Sequence, residues 1–101
     1  MAVQHIVYFK FKETANPAEV ARHMEAFAAL SETIPDIVSY SAGKTFGVDY
    51  EATGDYDCMH CLKCESQQAL ESYFHHEAHQ NFIEGNKHLW QDVLVVNAQE
   101  D

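Results

Sequence analysis

Gln4-His5-Ile6-Val7-Tyr8-Phe9-Lys10-Phe11 is the run that decides how this chain folds. It is rich in β-branched and aromatic residues, which suit a pleated surface, so it reads as a strand. A period of two sends His5, Val7, Phe9 and Phe11 to one side and Ile6, Tyr8 and Lys10 to the other. Each side carries apolar residues, so each side of this strand needs cover.

The next segment supplies cover for one side. Asn16-Pro17 opens a helix: the Asn16 side chain can cap free amides, Pro17 suits the first helical position, and Glu19 lies where a capping-box carboxylate belongs. Val20, Met24, Phe27 and Leu30 continue as one stripe, and Pro35 stops the helix after Ile34. Residues 37–44 read as a second strand and 45–55 as a polar loop with Gly47 and Gly54. Residues 56–65 read as a third strand, with Tyr56, Cys58, His60, Leu62 and Cys64 on one face and Asp57, Met59, Cys61 and Lys63 on the other.

Ser66 caps a second helical region that runs to about Trp90 in two or three pieces, relaxed near Gly85-Asn86 and anchored by Leu70, Tyr73, Phe74, Phe82, Ile83 and Leu89. Residues 93–98 read as a last strand before a frayed Glu100-Asp101 tail. The order βαββαβ predicts an α+β fold of the ferredoxin-like kind, an antiparallel sheet with helices on one face. Ile6, Tyr8, Met59 and Cys61 then form an apolar patch on the other face, which two copies would bury by pairing their sheets as a homodimer.

Composition narrows the function classes. At 101 residues the chain is one domain, residues 1–101. Sixteen acidic against six basic residues give a formal charge of -10, which repels phosphate backbones and anionic lipid, so neither nucleic acid nor membrane is expected as a partner. No run approaches the roughly 18 apolar residues of a bilayer span, and Met1-Ala2-Val3-Gln4-His5 lacks signal-peptide character, so a cytoplasmic location is expected. The odd cysteine count, Cys58, Cys61 and Cys64, fits a reducing compartment.

His5 through Lys12, Ile34-Pro35 with Gly43-Lys44 downstream, Gly54-Asp55-Tyr56-Asp57, and Tyr73 through Phe82 followed by Asp92-Val93-Leu94-Val95-Val96 resemble, in order and spacing, the stress-responsive dimeric α/β-barrel (Dabb) domain. The resemblance covers nearly the whole chain and implies a ferredoxin-like fold, a paired-sheet dimer and a connection to stress response. The fold hosts many activities, so shape is implied more firmly than reaction. The family's plant polyketide cyclases perform an intramolecular aldol condensation, and Tyr73, His79 and His5 match three of their functional positions. Phe27 stands where those enzymes have a pocket tyrosine, and Cys58 where they have a histidine.

The residue types agree with proton-transfer chemistry. An imidazole titrating near neutrality can remove a proton next to a carbonyl, and a phenol can orient the base or donate to the enolate oxygen. His79 is the candidate base, Tyr73 its orienting acid and His5 a further polar contact, with Val7, Phe9, Phe27, Cys58 and Phe82 as apolar lining for a small, mostly apolar carbonyl compound. The same residues also fit plain structural roles, His79 and Tyr73 as hydrogen-bonded core residues and His5 at a strand end. A cavity reaching both Tyr73 and His79 favours an enzyme, an apolar cavity without His79 a carrier, and no cavity a structural dimer.

No metal is expected. Cys58, His60 and Cys64 share a strand face but spread over about 20 Å at about 3.3 Å per residue, while Cys61 points away. Zinc needs ligands about 2.3 Å from one ion. Buried thiols among apolar neighbours read as packing residues, and His75, His76 and Glu77 as exposed residues at a helix break. No motif supports haem or flavin, so no cofactor is expected.

Overall fold

β1 (Val3–Phe11) is an interior strand of a four-stranded sheet ordered β2-β3-β1-β4, with every neighbouring pair antiparallel. The computed structural model describes residues 1–100. The remaining elements are α1 (Pro17–Thr33), β2 (Ile37–Lys44), β3 (Cys58–Cys64), α2 (Gln67–His75), α3 (Glu77–Asn86), a 3-10 turn at Lys87–Leu89, and β4 (Trp90–Gln99). This is the ferredoxin-like α+β arrangement that the strand and helix order implies.

Local chemistry sets the helix ends. Asn16 Oδ1 accepts from the Glu19 amide at 2.8 Å while Glu19 Oε1 accepts from the Asn16 amide at 3.0 Å, a complete capping box in front of Pro17. Ser66 caps α2 by accepting from the Ala69 amide. Between α2 and α3 the chain turns at His76, whose extended backbone ends one helix and whose Nδ1 caps the next.

The core lies between the sheet and the helices. Val3, Val7, Phe9 and Phe11 of β1 and Cys58, Leu62 and Cys64 of β3 meet Phe27 and Leu30 of α1 and Tyr73 and Phe82 of the later helices. Burying a Phe or Leu side chain of this kind stabilises by about 1.5–3 kcal/mol. Opposite, the open face carries Ile6, Tyr8, Met59 and Cys61, half-buried, and Leu94 and Val96, which are exposed.

Several boundaries differ from the sequence reading. β3 starts at Cys58 rather than residue 56, and β4 starts at Trp90 rather than Val93. In the second case the ladder continues past a register shift between Lys10 and Phe11 to pair Phe11 with Trp90, whose Nε1–H donates to His23 Nε2 at 2.8 Å. Gly85 and Asn86 stay inside α3, and the relaxation falls one residue later in the 3-10 turn. Glu100 is not frayed: its amide donates to the Ala2 carbonyl, and its carboxylate pairs with Lys63 and accepts from Gln4. Asp101 lies outside the described residues.

His23 is the residue that the helical stripe omitted. His23, Phe27 and Leu30 are the buried positions of α1, while Val20 and Met24 pack at the margin. His23 and His60 are both fully buried, their ring centres 6.1 Å apart. Phe9, Phe11 and Phe82 surround His23, and His60 stacks on Phe27 at 4.0 Å. Tyr40 Oη and His60 Nδ1 share a hydrogen bond at 2.6 Å, and Trp90 Nε1–H donates to His23 Nε2 at 2.8 Å.

Burial pushes both imidazoles down to about 4, with the nearby His23 also contributing at His60. Unfolding restores the ordinary value of 6.5, so between those limits the unfolded chain binds protons that the folded chain cannot. Stability should be complete above pH 6.5 and fall as pH drops toward 4, by on the order of 3 kcal/mol per imidazole. Urea midpoints measured from pH 7.5 down to about 4.5 check this; a flat midpoint would refute the buried neutral pair.

Candidate functional site

The break at His76 builds the site. In an unbroken helix the Phe74 carbonyl would accept from the Ala78 amide. Here that amide donates to His76 Nδ1 at 3.0 Å, which frees the carbonyl. It accepts instead from His79 Nδ1–H at 2.9 Å and from the Gln80 side-chain amide at 2.7 Å. Donation from Nδ1 fixes the tautomer of the neutral ring and leaves His79 Nε2 with the lone pair, the form of a general base.

The turn also folds α3 back on α2. The rings of Tyr73 and His79 stand 4.5 Å apart, and His5, reaching up from β1, meets Tyr73 edge-on at 5.6 Å. His5 is held similarly: its Nδ1 lies 2.6 Å from Asn97 Oδ1 on β4. An amide oxygen can only accept, so this nitrogen carries the proton and His5 Nε2 is an acceptor. Burial lowers the pKa of both histidines; the Asn97 contact opposes this at His5, and at His79 the Phe74 carbonyl opposes it while His5 adds to it.

A cavity of about 440 Å³ opens between the helices and the inner face of β1 and β4. It exists because the helices cover β2, β3 and β1 and leave β4 overhanging, so that Val93, Val95 and Asn97 are exposed on the helix side. Of the residues expected at a site, His5, Val7, Phe9, Phe27, Tyr73, His79 and Phe82 all border this space. Cys58 does not. It is buried on the far side of Phe9, its Sγ 3.9 Å from His60 Nε2, and burial pushes its thiol up to about 11, so it is a packing residue.

The setting of Tyr73 differs from that expected of a ready acid. Its ring borders the cavity, but its hydroxyl is buried with no hydrogen-bond partner, and burial raises its pKa. Asn97 and the Phe74 carbonyl were missed in the sequence. Asn97 shares the alternation of Val93 and Val95, which could have flagged it; nothing in the sequence marks a freed carbonyl. Among the described residues, no group of three or more His, Cys, Asp or Glu side chains is placed to hold a metal ion.

The sheet order and the single-sided helices define a ferredoxin-like α+β domain. The sequence pattern of the Dabb family, the Stress responsive A/B Barrel Domain, matches residues 3–99, and the chain belongs to that family. Olivetolic acid cyclase of Cannabis sativa is 25% identical over 97 residues, spanning 96% of this chain and 95% of the cyclase. Among solved structures, hydroxynitrile lyase from Passiflora edulis superposes with a TM-score of 0.90 at 16% identity, covering 99% of this chain and 94% of the lyase. A dimeric ferredoxin-like protein of unknown function from Thermobifida fusca does so at 0.84 and 23%, covering 99% and 92%.

The unpartnered Tyr73 hydroxyl yields a stability test. A buried polar group without a partner costs about 1–3 kcal/mol. Tyr73→Phe should therefore leave stability unchanged or raise it, by up to about 2 kcal/mol, as read from the thermal midpoint. A loss above about 1 kcal/mol would show that the hydroxyl already has a structural partner.

Proposed function

We propose that each subunit binds a small, mostly apolar carbonyl compound in the cavity and moves a proton on it, with His79 as the base. The observation that carries this is the fixed tautomer of His79: Nδ1 is tied to the Phe74 carbonyl, and Nε2, unpaired, is not among the buried atoms. His79 Nε2 takes a proton from the carbon next to the carbonyl; the pair of that C–H bond forms the C=C bond of the enolate, and the carbonyl π pair moves onto the oxygen. The resulting imidazolium returns the proton to carbon in an isomerisation, or to the new alkoxide after carbon–carbon bond formation in a cyclisation. Bond cleavage in a lyase runs the same proton path in reverse.

Two companions divide the remaining work. A ligand oxygen that reaches Tyr73 gives its hydroxyl the acceptor it lacks and in turn gains a donor where negative charge develops. His5 Nε2 accepts from a ligand hydroxyl, held in place by Asn97. The names of the cyclase and the lyase that this chain resembles fit such chemistry. A carrier of small apolar ligands is the second reading, favoured by the burial of the Tyr73 hydroxyl.

The same reading places the protein in the cytoplasm, in stress response, as a homodimer that pairs its open sheet faces. Support comes from Ile6, Tyr8, Leu94 and Val96 on that face and from the dimeric Thermobifida fusca relative in fold. No described helix is long and apolar enough to cross a membrane. Sedimentation should give a dimer, and Leu94→Arg should split it. Because Cys58 and Cys64 are buried, Cys61 is the thiol that such pairing should shield, with alkylation of Cys61 fast in the Leu94→Arg variant and slow in the parent chain. Equal alkylation rates would contradict pairing through this face.

The proton-transfer step is testable without the natural substrate. In deuterated buffer the protein should speed α-hydrogen exchange of 2-heptanone, followed by NMR, and His79→Ala should lower that rate about 100-fold or more. The active form is the unprotonated imidazole, so the rate should rise with pH through an apparent pKa below 6.5 and then stay level. Binding of the ketone with no exchange above buffer would leave the carrier reading in place of the enzyme.

A further inference from the structure

The cavity does not end at His5. A groove of about 220 Å³, lined by Val3, Gln67, Leu70, Asn97, Ala98 and Gln99, shares Gln67, Leu70 and Asn97 with it. The two spaces therefore adjoin at these three residues, between α2 and β4. Their chemistry differs: the cavity is walled by aromatic and aliphatic side chains, whereas half of the groove's lining residues are amides.

Two of those three amides are available, Gln99 Nε2 being turned to Met1 Sδ. Asn97 uses its oxygen to hold His5, which leaves its Nδ2 hydrogens free at the junction of the two spaces. Gln67 has no side-chain hydrogen-bond partner among the described residues and stands at the first position of α2. Among the described residues, neither space is lined by a lysine or an arginine, and Glu71 is the one acidic residue bordering the cavity. A carboxylate or phosphate entering here would leave water without a guanidinium or ammonium to meet it, beside a like charge, in a chain of formal charge -10.

We propose that the groove is a second subsite of this binding site, and that the ligand is an elongated, uncharged molecule with an apolar body in the cavity and a hydrogen-bonding head against Asn97 and Gln67. The assignment rests on the cavity being the binding site, as proposed above. It adds the ligand's shape and charge: a neutral amide, alcohol or ketone head on a hydrocarbon or aryl body. Asn97 is then a positioning residue twice over, orienting His5 through its oxygen and the ligand through its nitrogen.

The test uses the ¹⁵N-labelled full chain at pH 8 with two probes of equal length, nonanamide and nonanoate. Nonanamide should shift the side-chain amide signals of Asn97 and Gln67 together with the ring signals of His79. It should bind about tenfold more tightly than nonanoate, the scale of one uncompensated charged group. Gln67→Leu should weaken nonanamide several-fold while the far-UV circular dichroism spectrum and the thermal midpoint stay as in the parent chain, which shows that the variant is folded.

The outcomes separate the two claims. Nonanoate binding as tightly as nonanamide overturns the uncharged class alone. A response at His79 with none at Asn97 and Gln67 overturns the second subsite and leaves the cavity standing. No response to either probe overturns both the subsite and the binding cavity on which it rests.

Discussion

One strand with two apolar faces constrains everything else in this fold. β1 sends Val7, Phe9 and Phe11 into the core and keeps Ile6 and Tyr8 for the opposite face. Three helices suffice to cover one side of β2, β3 and β1, but not that side of β4, whose residues 91–99 are all exposed. The overhang is what makes a cavity: Val93, Val95 and Asn97 form a wall with no helix pressed against it. The uncovered reverse face, carrying Leu94 and Val96, results from the same shortage of helical cover.

Polar atoms inside the core are matched unevenly, and the mismatch has a pattern. His60 is satisfied by Tyr40, and His23 by Trp90 on one ring nitrogen. Two buried side-chain atoms among the described residues have no partner, His23 Nδ1 and the Tyr73 hydroxyl. The first belongs to a ring that packs edge to face with Phe9 and Phe11. The second belongs to a fully buried tyrosine among the residues that border the cavity. An unsatisfied buried donor at that place costs stability.

The helix break at His76 links packing to chemistry. A continuous helix would spend the Phe74 carbonyl on its own backbone and would carry His79 onward along its axis. The break transfers that carbonyl to His79 Nδ1 and brings the imidazole over Tyr73. Asn97 plays the corresponding part for His5 from a strand 92 residues away in sequence. Two histidines are thus set in the same tautomer by two unrelated acceptors, one from backbone and one from side chain.

The order of elements, the α1 cap at Asn16, the stop before Pro35, and the period-two faces of β1 and β3 were all legible in the chain, because these depend on near neighbours and on the geometry of one residue after the next. Legible too were seven residues that now border one cavity, through alternation on β1, through the helical stripe for Phe27 and through resemblance in the Tyr73–Phe82 run. Other features exist only once the chain has folded. His23 is buried, since only the approach of Trp90 from the far end of the chain makes that polar side chain tolerable in a core. Cys58 is drawn away from the cavity, because Phe9 lies between them, and Asn97 is set beside His5 by strand register. Hydrogen-bond partners and voids are properties of surfaces brought together from distant segments, and no local pattern of residues records which surfaces will meet.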